Sequence, residues 1–212
     1  MTILWLIAGI LLSLSIHEAA HAWASDKLGD PTARLNDRLT LNPIAHLDPM
    51  GTLLPVILIL TGFPIIFGWG KPVPFDPFNL QNPRKDSALI SIAGPTANLI
   101  MAVFLSLLLK ILITSIALNP NIVAFLSQII ALNVMWALFN LIPIHPLDGG
   151  KVLVGILPQK PAYEVDNFLR KYGRLLLIAL IFPFFGTSLV FTIIYPILKI
   201  VLNILLPQTF LI

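Results

Sequence analysis

Cysteine is absent from the 212-residue chain. That excludes disulfides and thiolate metal ligands, and it leaves any metal to His, Asp, Glu, Asn or water. Charge is scarce as well: Asp, Glu, Lys and Arg make up 11% of the residues and apolar types 57%, where a soluble domain carries about 25% charge. A sizeable soluble domain is thereby excluded. The apolar run at residues 3–24 lacks a basic n-region and a small-residue cleavage signal, so it reads as a retained first helix rather than a signal peptide. No internal repeat is visible. The net charge of +3 raises the question of an anionic partner. The basic residues sit in loops between apolar runs, however, where membrane topology accounts for them, and nucleic-acid binding has no support.

Five stretches lack Asp, Glu, Lys and Arg: 2–25 apart from Glu18, 51–70, 87–109, 111–147 and 175–198. A span needs roughly 20 apolar residues. The expectation is one multi-pass domain over 1–212, with a core at about 3–155 and accessory membrane segments at about 175–206. Its fold class is an all-α integral membrane bundle of four to six segments, with a re-entrant element and short membrane-associated β-strands. Helices are predicted at 3–24, with Gly29 as a stop, at 87–118, and at 122–142 before Pro143. The imperfect alternation of 34–41 and the run 65–75 are the candidate strands. Residues 161–172 are polar enough for the surface. The apolar tail from 175, broken by Pro183 and Gly186, is one bent span or a hairpin.

His17-Glu18-Ala19-Ala20-His21 is the H-E-x-x-H pattern inside a predicted helix. Positions i and i+4 share a helix face, so both imidazoles can reach one ion with the glutamate beside them. Glu18 is the sole acidic residue within an apolar run. A charge at membrane depth costs at least ~2.5 kcal/mol on insertion scales, and a metal with its water offsets that cost. A catalytic zinc takes three protein ligands and keeps one position open. For the third ligand His46, His145 and Asp148 stand nearest the apolar runs. Asp148 lies in Pro146-Leu147-Asp148-Gly149-Gly150, whose glycines permit a tight turn. Asn140 is placed to hydrogen-bond a substrate carbonyl or an oxyanion.

The HEAAH helix, AGPTAN at 93–98 and NLIPIHPLDGG at 140–150 resemble the site-2 protease family of intramembrane zinc metalloproteases. GDPTARLNDRLTLNPIAHLDPMG and GWGKPVPFDPFNLQNPRKD resemble its compact group, which lacks PDZ and CBS domains. The resemblance covers roughly residues 10–155. It implies zinc (Zn2+) held by His17, His21 and Asp148, with Glu18 activating water and Asn140 aiding substrate or oxyanion binding. His145 is not a ligand the family would carry over. The implied activity is endopeptidase cleavage in or near transmembrane segments of membrane-protein substrates, within the lipid bilayer. Gly94 and Asn98 read first as packing and interhelical bonding, and His46 as a loop histidine.

His17 and His21 lie near the end of the first helix, and Asp148 follows the end of 122–142, so both helices must run in the same direction. That is impossible if 3–24, 51–68, 87–118 and 122–142 all cross. Residues 51–68, interrupted by Pro55, Gly62 and Pro64, are therefore expected to enter and return, or to lie within the bundle. Loops 25–50, 69–86 and 143–174 then share one side and carry three, three and five basic residues, eleven of the 13, as the positive-inside rule requires. The N-terminus is expected outside the cell membrane and the active site toward the cytoplasm. A substrate helix must unwind, and an edge strand at 34–41 or 65–75 would bind it by strand addition. The alternative function is a transporter or metal-permeation protein using the same ligands, but repeated halves are lacking. A prenyl-protein type of protease would need a glutamate third ligand, and Glu164 lies in a polar segment.

Overall fold

Long apolar runs with few breakers wind into helices, and the computed structural model is helical almost throughout. It describes residues 3–62, 68–116, 118–183 and 188–207. The helices are α1 (Ile3–Lys27), α2 (Thr32–Leu35), α3 (Pro49–Leu60), α4 (Pro83–Ser115), α5 (Pro120–Asn140), α6 (Asp148–Ile156), α7 (Gln159–Ile181) and α8 (Leu189–Leu205). Proline opens α3, α4 and α5, where its missing N–H costs nothing. Gly29, with φ of 104°, supplies the left-handed residue just past α1. The hydroxyls of Ser13 and Ser15 inside apolar α1 bond back to the Gly9 and Leu11 carbonyls.

The register of contacts gives the directions. Trp5 stacks on Phe125 at 4.5 Å and Gly9 lies against Ile129 and Leu132, so α1 and α5 are parallel. Ser13 and His17 meet Asn98, whereas His21 meets Ile90, so α4 is antiparallel to α1. α6 runs back down α4, with Gly155 pressed on Ala88 and the Arg84 guanidinium donating to the carbonyls of Val154 and Leu157 near the α6 end. The main core joins Ala102 and Leu109 of α4, Val123, Ile130 and Val134 of α5, and Val190, Ile194 and Leu198 of α8. The tail is thus two helices, α7 and α8, and α8 packs on the bundle. The polar stretch 161–172 belongs to the first half of α7.

Among the described residues the expected strands do not form. Residues 34–41 begin as the end of α2 and continue as turns, with Asp37 at φ 55°. Of 65–75, residues 65–67 lie outside the described residues, and the rest has no regular structure beyond one antiparallel bridge between Leu47 and Gly70. The physical reason is proline: Pro72 and Pro74 cannot donate to a ladder, and Asp30 offers the neighbouring backbone a better partner. Its buried carboxylate accepts from Ser25 Oγ, Thr32 N, Thr32 Oγ1, Asp76 N and Asn79 Nδ2. Burial pushes that carboxyl up, but the donors, Thr32 and Asn79 foremost, bring it down to about 2.

The segment expected to enter and return is built on α3. This helix has 12 residues, which gives a length of about 18 Å. Its first turn at Gly51 touches Trp69, and Pro55 touches Gly68, so 68–69 lie against the first half of α3, while 63–67 lie outside the described residues.

Candidate metal centre

α1 brings His17 and His21 to one face. α4 antiparallel beside it presents Ile90, Gly94 and Asn98, spaced four apart and therefore stacked on a single stripe. The loop after α5 turns into α6 and delivers Asp148. His17 Nε2 lies 3.1 Å and His21 Nε2 3.3 Å from Asp148 Oδ2, and the two imidazoles stand edge to face at 4.6 Å. One ligand atom from each of the three residues falls within 4.8 Å of the others. Tetrahedral ligand atoms at bonds of about 2.0–2.2 Å sit about 3.3–3.5 Å apart, so the spacing fits such an ion.

Hydrogen bonding to the other ring nitrogens decides what the cluster can hold. His21 Nδ1–H donates to the Ile90 carbonyl at 2.7 Å, an acceptor only. Asn133 Nδ2 donates to the Ile129 carbonyl, so its Oδ1 accepts from Asn98 Nδ2 at 2.8 Å. Asn98 Nδ2 also donates to the Ser13 carbonyl, which leaves Asn98 Oδ1 to accept from His17 Nδ1–H at 2.6 Å. In its neutral form each imidazole is therefore set in the tautomer with a bare Nε2. Both Nε2 atoms and the Asp148 carboxylate then converge at hydrogen-bond distance, an arrangement that a shared cation would satisfy. The acceptors of these Nδ1–H groups, Asn98 Oδ1 and the Ile90 carbonyl, are partners of the kind that orient metal-binding histidines.

Gly94 makes room for this. A Cβ there would lie 2.5 Å from His21 Nε2 and 2.8 Å from His17 Cε1. Glu18, half-buried between the two histidines, accepts at Oε2 from the Val73 amide at 3.2 Å, so the 68–76 segment lies beside the carboxylate. Lys151, one turn after Asp148, stands over the Phe75 ring of the same segment at 4.5 Å.

The structure brings His17, His21 and Asp148 together. Asn140, at the end of α5, turns one amide N–H back to the Trp136 carbonyl at 3.0 Å. His46 is fully buried and bonds the Thr40 carbonyl, while His145 bonds Asp166; neither belongs to the cluster. Gly94 and Asn98 pack and bond between helices as expected, but sequence reasoning passed over their contacts with the two histidines, and over Asn133 and the Val73 amide. For the first two a signal exists, since a glycine and an asparagine four apart in an apolar helix share a face.

A helical protein with this constellation has the parts of a metallopeptidase. Residues 109–180 match the model of peptidase family M50. YwhC of Bacillus subtilis, provisionally named a zinc metalloprotease, is 39% identical over 160 residues, 73% of this chain and 69% of that one. Rip2 of Mycobacterium tuberculosis, with the same provisional name, is 37% identical over 150 residues, 68% of this chain and 53% of its own. Zinc metalloprotease MJ0392 of Methanocaldococcus jannaschii is 27% identical over 188 residues, covering 87% of this chain and 44% of that one. The chain thus spans about half or less of the two longer relatives. No solved structure matches the chain. The chain belongs to peptidase family M50, the site-2 protease family, and is a peptidase; the permeation alternative falls away.

Proposed function

We propose that the protein is a zinc-dependent intramembrane endopeptidase, its ion held by His17, His21 and Asp148 and its base supplied by Glu18. The observation that carries this is the convergence of three acceptors whose imidazoles have both Nδ1–H groups committed elsewhere. Zinc is the ion in the names of the relatives, and the nitrogen and oxygen donor set suits it. When bound, zinc polarises a scissile carbonyl and lowers the pKa of a water to about 7. Glu18 takes the proton of the attacking water and returns it to the leaving amine. The Val73 amide holds one carboxylate oxygen of Glu18 and so orients the other. Asn140 keeps a second amide N–H, beyond the one used by Trp136, for a substrate carbonyl.

Placement in the bilayer rests on an inverted distribution of polarity. Ser13, Ser15, His17, Asn98, Ser106 and Asn133 are buried, whereas Ile100, Phe104, Leu107 and Ile111 of α4 and Ile193, Ile200 and Ile204 of α8 are exposed. Apolar surface on that scale suits lipid rather than water. Among the described residues, the two helices Pro83–Ser115 and Pro120–Asn140 are long and apolar enough to cross a membrane. Parallel α1 and α5 with α4 antiparallel between them fit three crossings, with α3 entering and returning because about 18 Å falls short of a ~30 Å core. The basic loops then face the cytoplasm, the N-terminus lies outside, and residues 1–212 act as one multi-pass domain, with α8 as an accessory segment. The substrate is a transmembrane protein segment, unwound at the 68–76 stretch.

The deciding experiment compares wild type with Glu18→Gln, purified with zinc, on a model transmembrane substrate. Cleavage should fall by on the order of 10²–10⁴ with the zinc content retained. Equal cleavage by both proteins would remove Glu18 as the base.

A further inference from the structure

His145 lies three residues before Asp148, yet it serves a different neighbour. Its Nε2–H donates to Asp166 Oδ1 of α7 at 3.1 Å, and Arg170, one turn further along α7, donates to Asp166 Oδ2 at 2.7 Å. Glycines clasp the histidine on two sides. A Cβ on Gly150 would meet His145 Nδ1 at 2.7 Å, and one on Gly173 would meet the His145 carbonyl oxygen at 2.5 Å and its Cβ at 3.2 Å. Gly150 stands in the first turn of α6, two residues after Asp148, and Gly173 belongs to α7. The imidazole is thus a wedge between the helix that begins at Asp148 and the helix that carries Asp166.

Within the turn itself the backbone ties are short-range: Leu147 N to the Ile144 carbonyl at 2.9 Å and Gly150 N to the Leu147 carbonyl at 3.1 Å. These shape the turn but do not anchor it to the rest of the molecule. The His145–Asp166 bond does. Both side chains are largely enclosed, at 15% and 24% exposure, while Arg170 is 73% exposed.

We propose that Asp166 is a positioning residue for the metal centre: by holding His145 it sets where the turn places the Asp148 carboxylate relative to His17 and His21. Arg170 acts one step further back, orienting Asp166 so that Oδ1 faces the imidazole. This rests on Asp148 being a ligand. The Asp166–Arg170 ion pair, exposed at its arginine, adds little to global stability. Misplacing a reacting or ligating group by 1 Å, by contrast, costs about 10²-fold. The effect should therefore appear in metal affinity and turnover and leave folding almost untouched.

The test uses the full chain in detergent, with wild type, Asp166→Ala, Asp166→Glu, Arg170→Gln and Asp148→Asn. The zinc dissociation constant is measured by competition with a chromophoric chelator, kcat and KM on a model transmembrane substrate, and unfolding on the metal-free proteins. Asp166→Ala should weaken zinc about tenfold, the low end for outer partners of metal ligands. It should lower kcat with KM unchanged and leave metal-free unfolding where it was. Asp166→Glu, which keeps the acceptor, should recover most of the affinity. Arg170→Gln, at an exposed position that leaves the bundle intact, should weaken zinc in the same direction by a smaller factor. Wild-type zinc affinity in both Asp166→Ala and Arg170→Gln, or a loss matched by lowered metal-free stability without rescue by Glu, would overturn the proposal. If that happens while Asp148→Asn has lost zinc, the ligand set stands and only the positioning role is gone. Wild-type zinc binding by Asp148→Asn would overturn both.

Discussion

Gly94→Ala adds one methyl group at the point where α4 touches the two histidines. The added carbon would stand 2.5 Å from His21 Nε2, 2.6 Å from His21 Cε1 and 2.8 Å from His17 Cε1, against 3.4 Å or more for ordinary contact. Neither ring can swing aside freely, because His21 Nδ1–H is fixed on the Ile90 carbonyl and His17 Nδ1–H on Asn98. The rings must therefore shift by almost 1 Å, or α4 must move away from α1. Overpacking of this sort costs about 1–3 kcal/mol, offset by about 1 kcal/mol because alanine is the better helix former. The net cost in stability is about 0–2 kcal/mol. The effect on the centre is large: a 1 Å displacement is worth about 10²-fold in rate. Zinc affinity by chelator competition and single-turnover cleavage of a transmembrane substrate should both fall by about that factor, while thermal unfolding of the metal-free protein shifts by no more than a few degrees. A Gly94→Ala protein that binds zinc and cleaves like wild type would refute the reasoning, since it would mean that His17 and His21 do not hold the ion from these positions.

Asn98→Ala removes the acceptor that sets the His17 tautomer, and zinc affinity should drop 10–100-fold, measured by the same competition. Asp30→Asn takes away a carboxylate that the fold holds down at about 2 against 3.8 unfolded. Because the folded value is the lower, its contribution is complete above 3.8 and disappears as the pH falls through about 2. The variant should be less stable by about 2 kcal/mol at pH 7, and thermal scans should show the gap to wild type closing between pH 4 and 2. Since the chain has no cysteine, single cysteines at Asp37, Phe78 and Asn119 can be labelled without background. The first two should react with an impermeant thiol reagent from one side of the membrane and the third from the other. Labelling of Asp37→Cys and Phe78→Cys from opposite sides would show that α3 crosses.

Much of this was legible in the residues. Long apolar runs, with Gly29 and Pro143 as stops, located the main helices, because backbone hydrogen bonding in an apolar run leaves few options. The i, i+4 spacing of His17 and His21 put both on one face for the same reason. Directionality was legible too: two ligand-bearing segments that end near a common ion must run in parallel, and the Trp5–Phe125 and Gly9–Ile129 contacts show α1 and α5 doing so. The strands failed where local alternation was read without its competitors. Pro72 and Pro74 deny a ladder its donors, and the Asp30 carboxylate gathers the loop backbone from 32 to 79, a long-range contact that no window of adjacent residues contains.

The amino-acid order alone determined that the chain is helical and apolar, that two imidazoles and a carboxylate share a helix face, and that a distant acidic turn was available to complete a set of three. Those are properties of short-range spacing, where 3.6 residues per turn governs everything. Only the tertiary structure brought Asp148, and neither His145 nor His46, beside His17 and His21, gave both Nδ1–H groups their acceptors through Ile90, Asn98 and Asn133, and made Gly94 a site of contact rather than of flexibility. Each of those depends on which helix lies against which and at what depth, and that is fixed by burial summed over the whole bundle, where no single segment carries the information.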